Sequence, residues 1–289
     1  MNAADEIRLG RASVLLVGGT ESMSNTPYML PRARWGMRMG NAEVVDGMYR
    51  DGFLCPLADE MMGATAETLA ERYGITRDEQ DQFAMESQQK AARAYEQNRF
   101  ADEMVPLDQL DHDEHPRFDT DLGSLAKLPP VFRKNGTVHA GNSSGVTDGA
   151  SSMLVASETA VRDHGLQPMA RLVGYAQAGV DPKIMGIGPV PATRKLLAET
   201  NVKLDDIDLI ELNEAFAAQV LACDRELHLD RSKLNVHGGA IALGHPIGCT
   251  GARITTTLLH ALNTHDKRLG LATLCISGGM GISMLVERV

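Results

Sequence analysis

Cysteine is scarce in these 289 residues: only Cys55, Cys223, Cys249 and Cys275 occur, and no two form a C-x-x-C pair. That spacing excludes the dithiol redox motif and the common zinc frames. Four thiols in a chain this long fit a reducing cytoplasm better than a disulfide scaffold. Basic residues are outnumbered, 28 Lys and Arg against 38 Asp and Glu, for a formal net charge of −10. Non-specific nucleic-acid binding needs clustered cations, so no nucleic-acid partner is expected. A small anionic ligand stays open, because a few backbone N–H groups suffice to hold one. Long apolar runs are missing as well. The longest pure aliphatic stretch is Val14-Leu15-Leu16-Val17, whereas a membrane helix needs about 20 apolar residues. The opening Met1-Asn-Ala-Ala-Asp-Glu has neither a basic nor an apolar signal region. These absences together predict a cytoplasmic protein with no membrane segment.

What is present is a periodic apolar pattern, with 43% apolar residues, enough for a sizeable core. Helix is expected at 3–9, 60–73, 77–97, 157–164, 190–200, 214–227 and 250–263. Strand is expected at 14–17, 153–156, 170–176, 207–212, 270–276 and 281–287. Thr76-Arg-Asp-Glu79 is a capping-box pattern opening the third helix. Strands alternating with helices predict an α/β layered fold. The irregular stretches at 22–56 and 98–140, with two helices between them, read as an insertion over that core, and such insertions are commonly functional.

Four segments could carry chemistry. His237 to Arg253 contains five glycines ahead of a helix, without the Walker A lysine or the dinucleotide-binding glycine spacing. Within it His245 stands between Gly244 and Pro246, which makes either a tight turn with an incidental histidine or a held, accessible imidazole. Leu274 to Gly281 places Cys275 at the carboxyl end of a strand before a glycine-rich turn, where α/β folds put reactive groups; a buried structural thiol reads equally well. In Leu209 to Ala217 a strand hands over at Asn213, which serves as a helix N-cap or as an amide that orients water or an oxyanion. His139 to Gly149 is a loop of small polar residues suited to an extended ligand. The run Asp111-His112-Asp113-Glu114-His115 lacks a strong metal-ligand motif, so a solvated loop and no metal are expected.

In order, these blocks resemble the signature segments of thiolases: Gly18-Gly-Thr-Glu-Ser-Met-Ser24, Met62-Gly-Ala-Thr-Ala-Glu67, Gly136 to Gly145, Asn213-Glu-Ala-Phe-Ala217, Gly238 to Gly248 and Cys275-Ile-Ser-Gly-Gly-Met-Gly281. The resemblance covers essentially the whole chain. It implies the thiolase fold, layered αβαβα from duplicated βαβαβαββ halves. Residues 1–165 would be an incomplete N-terminal half with a loop domain at about 26–140, and 166–289 the C-terminal half. It implies a two-step acyl transfer, in which a cysteine takes the acyl group as a thioester and acyl-CoA or CoA then reacts with it. His245 would be the base, Cys275 the thiol that moves the α-proton, and Asn213 the holder of an oxyanion-hole water. Ser144 would lie near the pantetheine, Arg117 and Ser124 near the nucleotide end, and Phe132, Ala140, Met62 and Phe216 along the pantetheine or acyl pocket. Ser277 replaces a glycine common in the family, and its backbone N–H remains a candidate oxyanion donor. The implied ligands are coenzyme A thioesters as substrates, with no tightly bound cofactor, and a homodimer or homotetramer is expected.

Aligned backwards, Met1 falls a few residues past the family's nucleophilic cysteine. Cys55, in a loop, Cys223, mid-helix, and Cys249, in the glycine block, do not replace it on this reading. The expectation is therefore a thiolase of fatty-acid or related acyl-CoA metabolism, or a nucleophile-less CoA-binding partner, or a protein limited to enolisation or decarboxylation.

Overall fold

The computed structural model describes residues 1–289. In chain order come α1 (Asn2–Arg8), β1 (Val14–Glu21), the two-residue strands β2 (Tyr28–Met29), β3 (Val45–Asp46), β4 (Leu54–Cys55) and β5 (Glu60–Met61), then α2 (Met62–Tyr73), α3 (Arg77–Glu96) and α4 (Leu122–Ala126). The second part runs β6 (Gly149–Ala156), α5 (Glu158–Asp163), β7 (Ala170–Gly179), α6 (Pro189–Thr200), β8 (Leu209–Leu212), α7 (Ala217–Leu227), α8 (Ala240–Leu243), α9 (Thr250–Thr264), β9 (Leu269–Ile276) and β10 (Met280–Arg288).

Two sheets sandwich α9. One is the antiparallel pair β1–β6, with Val14 opposite Ala156 and Glu21 opposite Gly149. The other has the order β7-β10-β9-β8, antiparallel except for the parallel pair β8–β9. On the α9 side of the larger sheet, Leu209, Ala272 and Val286 pack on Ile254, Leu258, Ala261 and Leu262. On its other side Ile210, Leu212, Leu271 and Leu285 join Leu196 of α6, Leu69 of α2 and Val220 of α7. The alternation along β8 thus sends odd residues toward α9 and even ones toward the outer helices. No helix of the chain is long and apolar enough to cross a membrane.

Two local differences from the sequence reading matter. Helix α7 starts at Ala217 with Phe216 as its N-cap, so Asn213 does not cap it; residues 213–216 form a short link that leaves the Asn213 side chain free for other work. The strand expected from 153 begins at Gly149, because Gly149 to Ser152 find partners in Glu21 to Gly18, some 130 residues away. The capping box at α3 is present, with Glu79 N donating to Thr76 Oγ1 at 3.2 Å and Thr76 N to Glu79 Oε2 at 2.7 Å.

Candidate active site

The site forms where β8, β9 and the glycine-rich block end on one side of the larger sheet. Asn213 follows β8, and its N–H donates to Thr273 O of β9 at 3.0 Å, which fixes it beside the strand that carries Cys275. Its Nδ2 lies 3.3 Å from His245 Nε2. The His245 backbone is tied to the 139–149 loop through its N–H to Gly145 O, 3.2 Å. Gly244, at φ +92, permits that approach; a Cβ there would collide with Thr147.

The tautomer of His245 follows from its neighbours. Thr250 Oγ1 donates to Pro246 O at 2.9 Å, as a first-turn hydroxyl can. Its one proton is then used, so at 2.6 Å from His245 Nδ1 it accepts, and Nδ1 carries the hydrogen. Nε2 is left with a bare lone pair facing the Asn213 amide. Burial, aided by the charge of Arg253, pushes the imidazole down to about 4, so it is neutral at pH 7. Asn213 Oδ1 is buried and accepts no hydrogen bond. It is an unfilled acceptor next to that base.

Cys275, the penultimate residue of β9, is half-buried, and burial pushes its thiol up to about 12. It is therefore a protonated thiol at rest. Gly278 and Gly279, at φ +87 and +86, turn the chain back into β10. Ser277 is among the groups that act on Cys55 of the β4–β5 hairpin. Burial pushes the Cys55 thiol up, but the N–H groups of Ala58, Leu57 and Gly278 and the Ser277 hydroxyl outweigh it and hold Cys55 below its ordinary value. The sequence reading placed no partner near Cys55; the tertiary fold supplies one.

The remaining residues fall into two groups. Ser144 N donates to Ala215 O at 3.0 Å and Ser143 bridges Phe216, so the small polar loop lies along the Asn213–Phe216 link. Phe132 stacks edge-on to Phe216 at 6.0 Å and fills the space above Gly63, beside Met62. Ala140, itself exposed, opens the single turn Ala140–Asn142. By contrast Arg117 and Ser124 stand exposed on the 115–126 segment. No contact joins them to His245, and the Ser124 side chain closes a capping box with Asp121.

Several supports went unseen in the sequence. Buried His139 accepts Gly141 N on Nδ1 at 3.0 Å, so its Nε2 donates to Asp81 Oδ1 at 2.7 Å. Asp81 also accepts from Asn142 Nδ2 (3.0 Å) and Arg77 Nε (2.7 Å), and these bonds, against burial, hold its carboxyl below the usual range. That cluster anchors the loop carrying Ser144. Glu214, wholly buried and raised by burial, gathers Ser87 Oγ (2.7 Å), Asn235 Nδ2 (2.7 Å) and Ile241 N (3.1 Å), joining α3 to the glycine block. In the 111–115 run, His112 pairs with Asp111 and the ring of His115 packs on Gly145.

The chain as a whole has clear counterparts. The family model for the thiolase N-terminal domain matches residues 1–159, and that for the thiolase C-terminal domain matches 166–288. The chain is 52% identical over 294 residues to an acetyl-CoA acetyltransferase of Pseudomonas aeruginosa, covering 99% of this chain and 75% of that protein. It is 50% identical over 296 residues to that of Escherichia coli (strain K12), with the same coverage. Among solved structures, the human mitochondrial 3-ketoacyl-CoA thiolase in complex with CoA superposes with a TM-score of 0.97 at 46% identity, over 100% of this chain and 74% of that one. The Bacillus anthracis acetyl-CoA acetyltransferase gives 0.96 at 48%, over 100% and 75%. The chain thus spans about three quarters of the length of these relatives.

Proposed function

The chain belongs to the thiolase family, and from that premise we propose that it is an acyl-CoA acyltransferase joining or splitting carbon–carbon bonds next to a thioester. The observation that carries the assignment of roles is the bare Nε2 of neutral His245 beside the Asn213 amide. A thiol of ordinary pKa is mostly protonated at pH 7, so it needs such a base to attack a carbonyl. In the thiolytic direction the family's nucleophilic cysteine, which none of Cys55, Cys223, Cys249 and Cys275 matches, would add its sulfur to the 3-keto carbon of a 3-ketoacyl-CoA as the C2–C3 bond breaks. Its electron pair leaves as the enolate of acetyl-CoA, and Cys275 gives C2 a proton. The acyl group remains as a thioester on the attacking sulfur until CoA removes it. In the condensing direction Cys275 acts as thiolate and takes the proton.

Asn213 Oδ1, an acceptor without a partner, suits a water whose own hydrogens face the developing enolate oxygen. Met62, Phe132, Ala140, Ser144 and Phe216 would flank the pantetheine arm and acyl group. Arg117 and Ser124 would meet the nucleotide end, where an exposed guanidinium matches phosphate. Ser277 contributes its N–H. The substrates are CoA thioesters and no tightly bound cofactor or metal enters the scheme. The halves are taken as 1–165, with the loop unit at about 26–140, and 166–289. A cytoplasmic homodimer or homotetramer fits Trp35 (85% exposed) and Met39 (103%), apolar side chains on the β2–β3 arm that a second copy would cover.

The test is exchange of acetyl-CoA methyl protons into D2O, followed by NMR. Exchange that is lost in Cys275→Ala and reduced in Asn213→Ala is expected. Failure to bind acetyl-CoA, or exchange indifferent to Cys275, overturns the reading. Mass mapping after acetoacetyl-CoA treatment tests whether any cysteine of the chain carries the acyl group. Label on Cys55, Cys223 or Cys249 is not expected, since all three are buried and none bonds to His245.

A further inference from the structure

Behind the site lies a buried cation that the proposed chemistry does not use. Glu211 is two residues before Asn213 on β8 and points the same way, into the apolar face covered by α9. It is 2% exposed. Arg253 lies one turn along α9 from Thr250, and its Nη1 sits 3.8 Å from Glu211 Oε2. None of Nε, Nη1 or Nη2 of Arg253 makes a hydrogen bond to the protein. The contact is therefore a long one, without the bidentate geometry that would make it rigid. Two threads meet at this pair. One runs from Arg253 through the first turn of α9 to Thr250, whose Oγ1 holds His245 Nδ1 at 2.6 Å. The other runs from Glu211 along β8 to Asn213, whose Nδ2 is 3.3 Å from His245 Nε2.

We propose that Arg253 is a positioning residue of the acyl-transfer site: packed between α9 and β8 against Glu211, it sets the gap between Asn213 and His245. A pairing lost here would free α9 to shift relative to β8, and every ångström of that shift falls on the His245–Asn213 contact. The surroundings suit an electrostatic role. Glu103, which burial raises to about 7 against Thr257 and Arg253, is the second carboxyl beside the guanidinium. Burial raises Glu211 to about 8, with Arg253 opposing. Lys90 of α3 and Glu214 after β8 complete the charged groups facing Glu211, while Cys249, at the start of α9, also feels Arg253. The cluster therefore gains negative charge between pH 6 and 9, and His245 sits at its edge.

The inference takes His245 as the base and so rests on the function proposed above, but its test does not need turnover. Histidine ring nitrogens labelled with 15N report tautomer and protonation directly. In the wild type the His245 resonances should show the Nδ1–H tautomer and a small second inflection near pH 8 as Glu211 titrates. Arg253→Met should weaken the Nδ1–H signature and raise the His245 midpoint by about one pH unit, a tenfold gain in proton affinity. Arg253→Lys should restore most of both. Glu211→Gln keeps the shape of the side chain and should abolish the inflection near pH 8; it decides the matter alone if Arg253→Met does not fold. Variants that lower the melting temperature yet leave the His245 tautomer, midpoint and inflection as in the wild type would overturn the proposal. Acetyl-CoA titrated into the same samples separates the two ideas. Resonances that respond to Arg253 in a protein that binds no CoA thioester sink the functional reading and leave this one standing. Binding with unmoved resonances does the reverse.

Discussion

The two sheets lean on the same helix but differ on their outer faces. The β7-β10-β9-β8 sheet has α9 on one side and α6 and α7 on the other, and its central leucines, Leu271 and Leu285, have no exposed surface. The β1–β6 pair has α9 behind it and nothing in front: Leu16 and Leu154, directly opposite each other in register, are 73% and 62% exposed. The difference aligns with chemistry. His245, Cys275 and Asn213 all stand on the covered sheet or on the block that closes it, whereas the groups proposed to hold CoA come from the first half of the chain, except Phe216 and Ser277. A site that must hold a base and a proton donor in fixed relation sits where packing is densest; the long ligand is gripped by loops that can be looser.

The strongest way to break this contrast is to remove one group from each side. Cys275→Ala should reduce acetyl-CoA proton exchange by about 10²–10⁴-fold with little change in CoA affinity. Ser144→Ala should change affinity a few-fold and leave the exchange rate at saturation nearly intact. Equal losses of rate from both would show that the division is false. Next in size is stability. Leu271→Ala opens a cavity in the main core and should cost about 2–5 kcal/mol in urea unfolding. Leu16→Ser, on the open face, should stay within about 0.5 kcal/mol. A large loss at Leu16 would mean that the open face is covered in solution.

Much of this was legible in the sequence. The long elements α3, α9, β9 and β10 follow from periodicity and capping, while Gly244-His245-Pro246 leaves an incidental histidine in a tight turn and a held imidazole both open. What escaped was set by distance in the chain. The pairing of β1 with β6 joins residues about 130 apart, and the Cys55–Ser277 contact spans more than 200, so no local pattern encodes either. For Asn213 the local sequence leaves a helix cap and a water-orienting amide both open; three extra residues before α7 exclude the cap. Nothing local to Thr250 marks it in the sequence; its hydroxyl lies between Pro246 O and His245 Nδ1. Thr250→Val tests that finding and comes third in expected size. With Nδ1 no longer fixed, the imidazole can turn, and exchange should fall roughly 10- to 100-fold while the unfolding midpoint hardly moves. A stability loss without a rate loss would make Thr250 a packing residue only.

The smallest effect expected lies at the seam between the two parts, where His237 of the glycine block meets Phe100 and Arg99 of the first half. Its Nε2 is 3.0 Å from His265 Nε2, its ring packs edge-on to Phe100, and burial, with the charges of His265 and Arg99, pushes it down to about 4. An imidazole whose folded pKa lies below its unfolded value near 6.5 binds its proton more readily in the unfolded chain. Its share of stability is therefore complete above pH 6.5 and is lost as pH falls toward 4. His245 acts in the same direction, while Glu103 and Glu211, raised by burial, act in the opposite one, so the wild-type profile alone is not diagnostic. His237→Gln against wild type at matched pH isolates the one group. The difference between them should shift in favour of the variant by at most about 1.4 kcal/mol on going from pH 7.5 to 5.5. Parallel profiles would mean that His237 takes its proton without unfolding, and that the seam opens to water more easily than its burial implies.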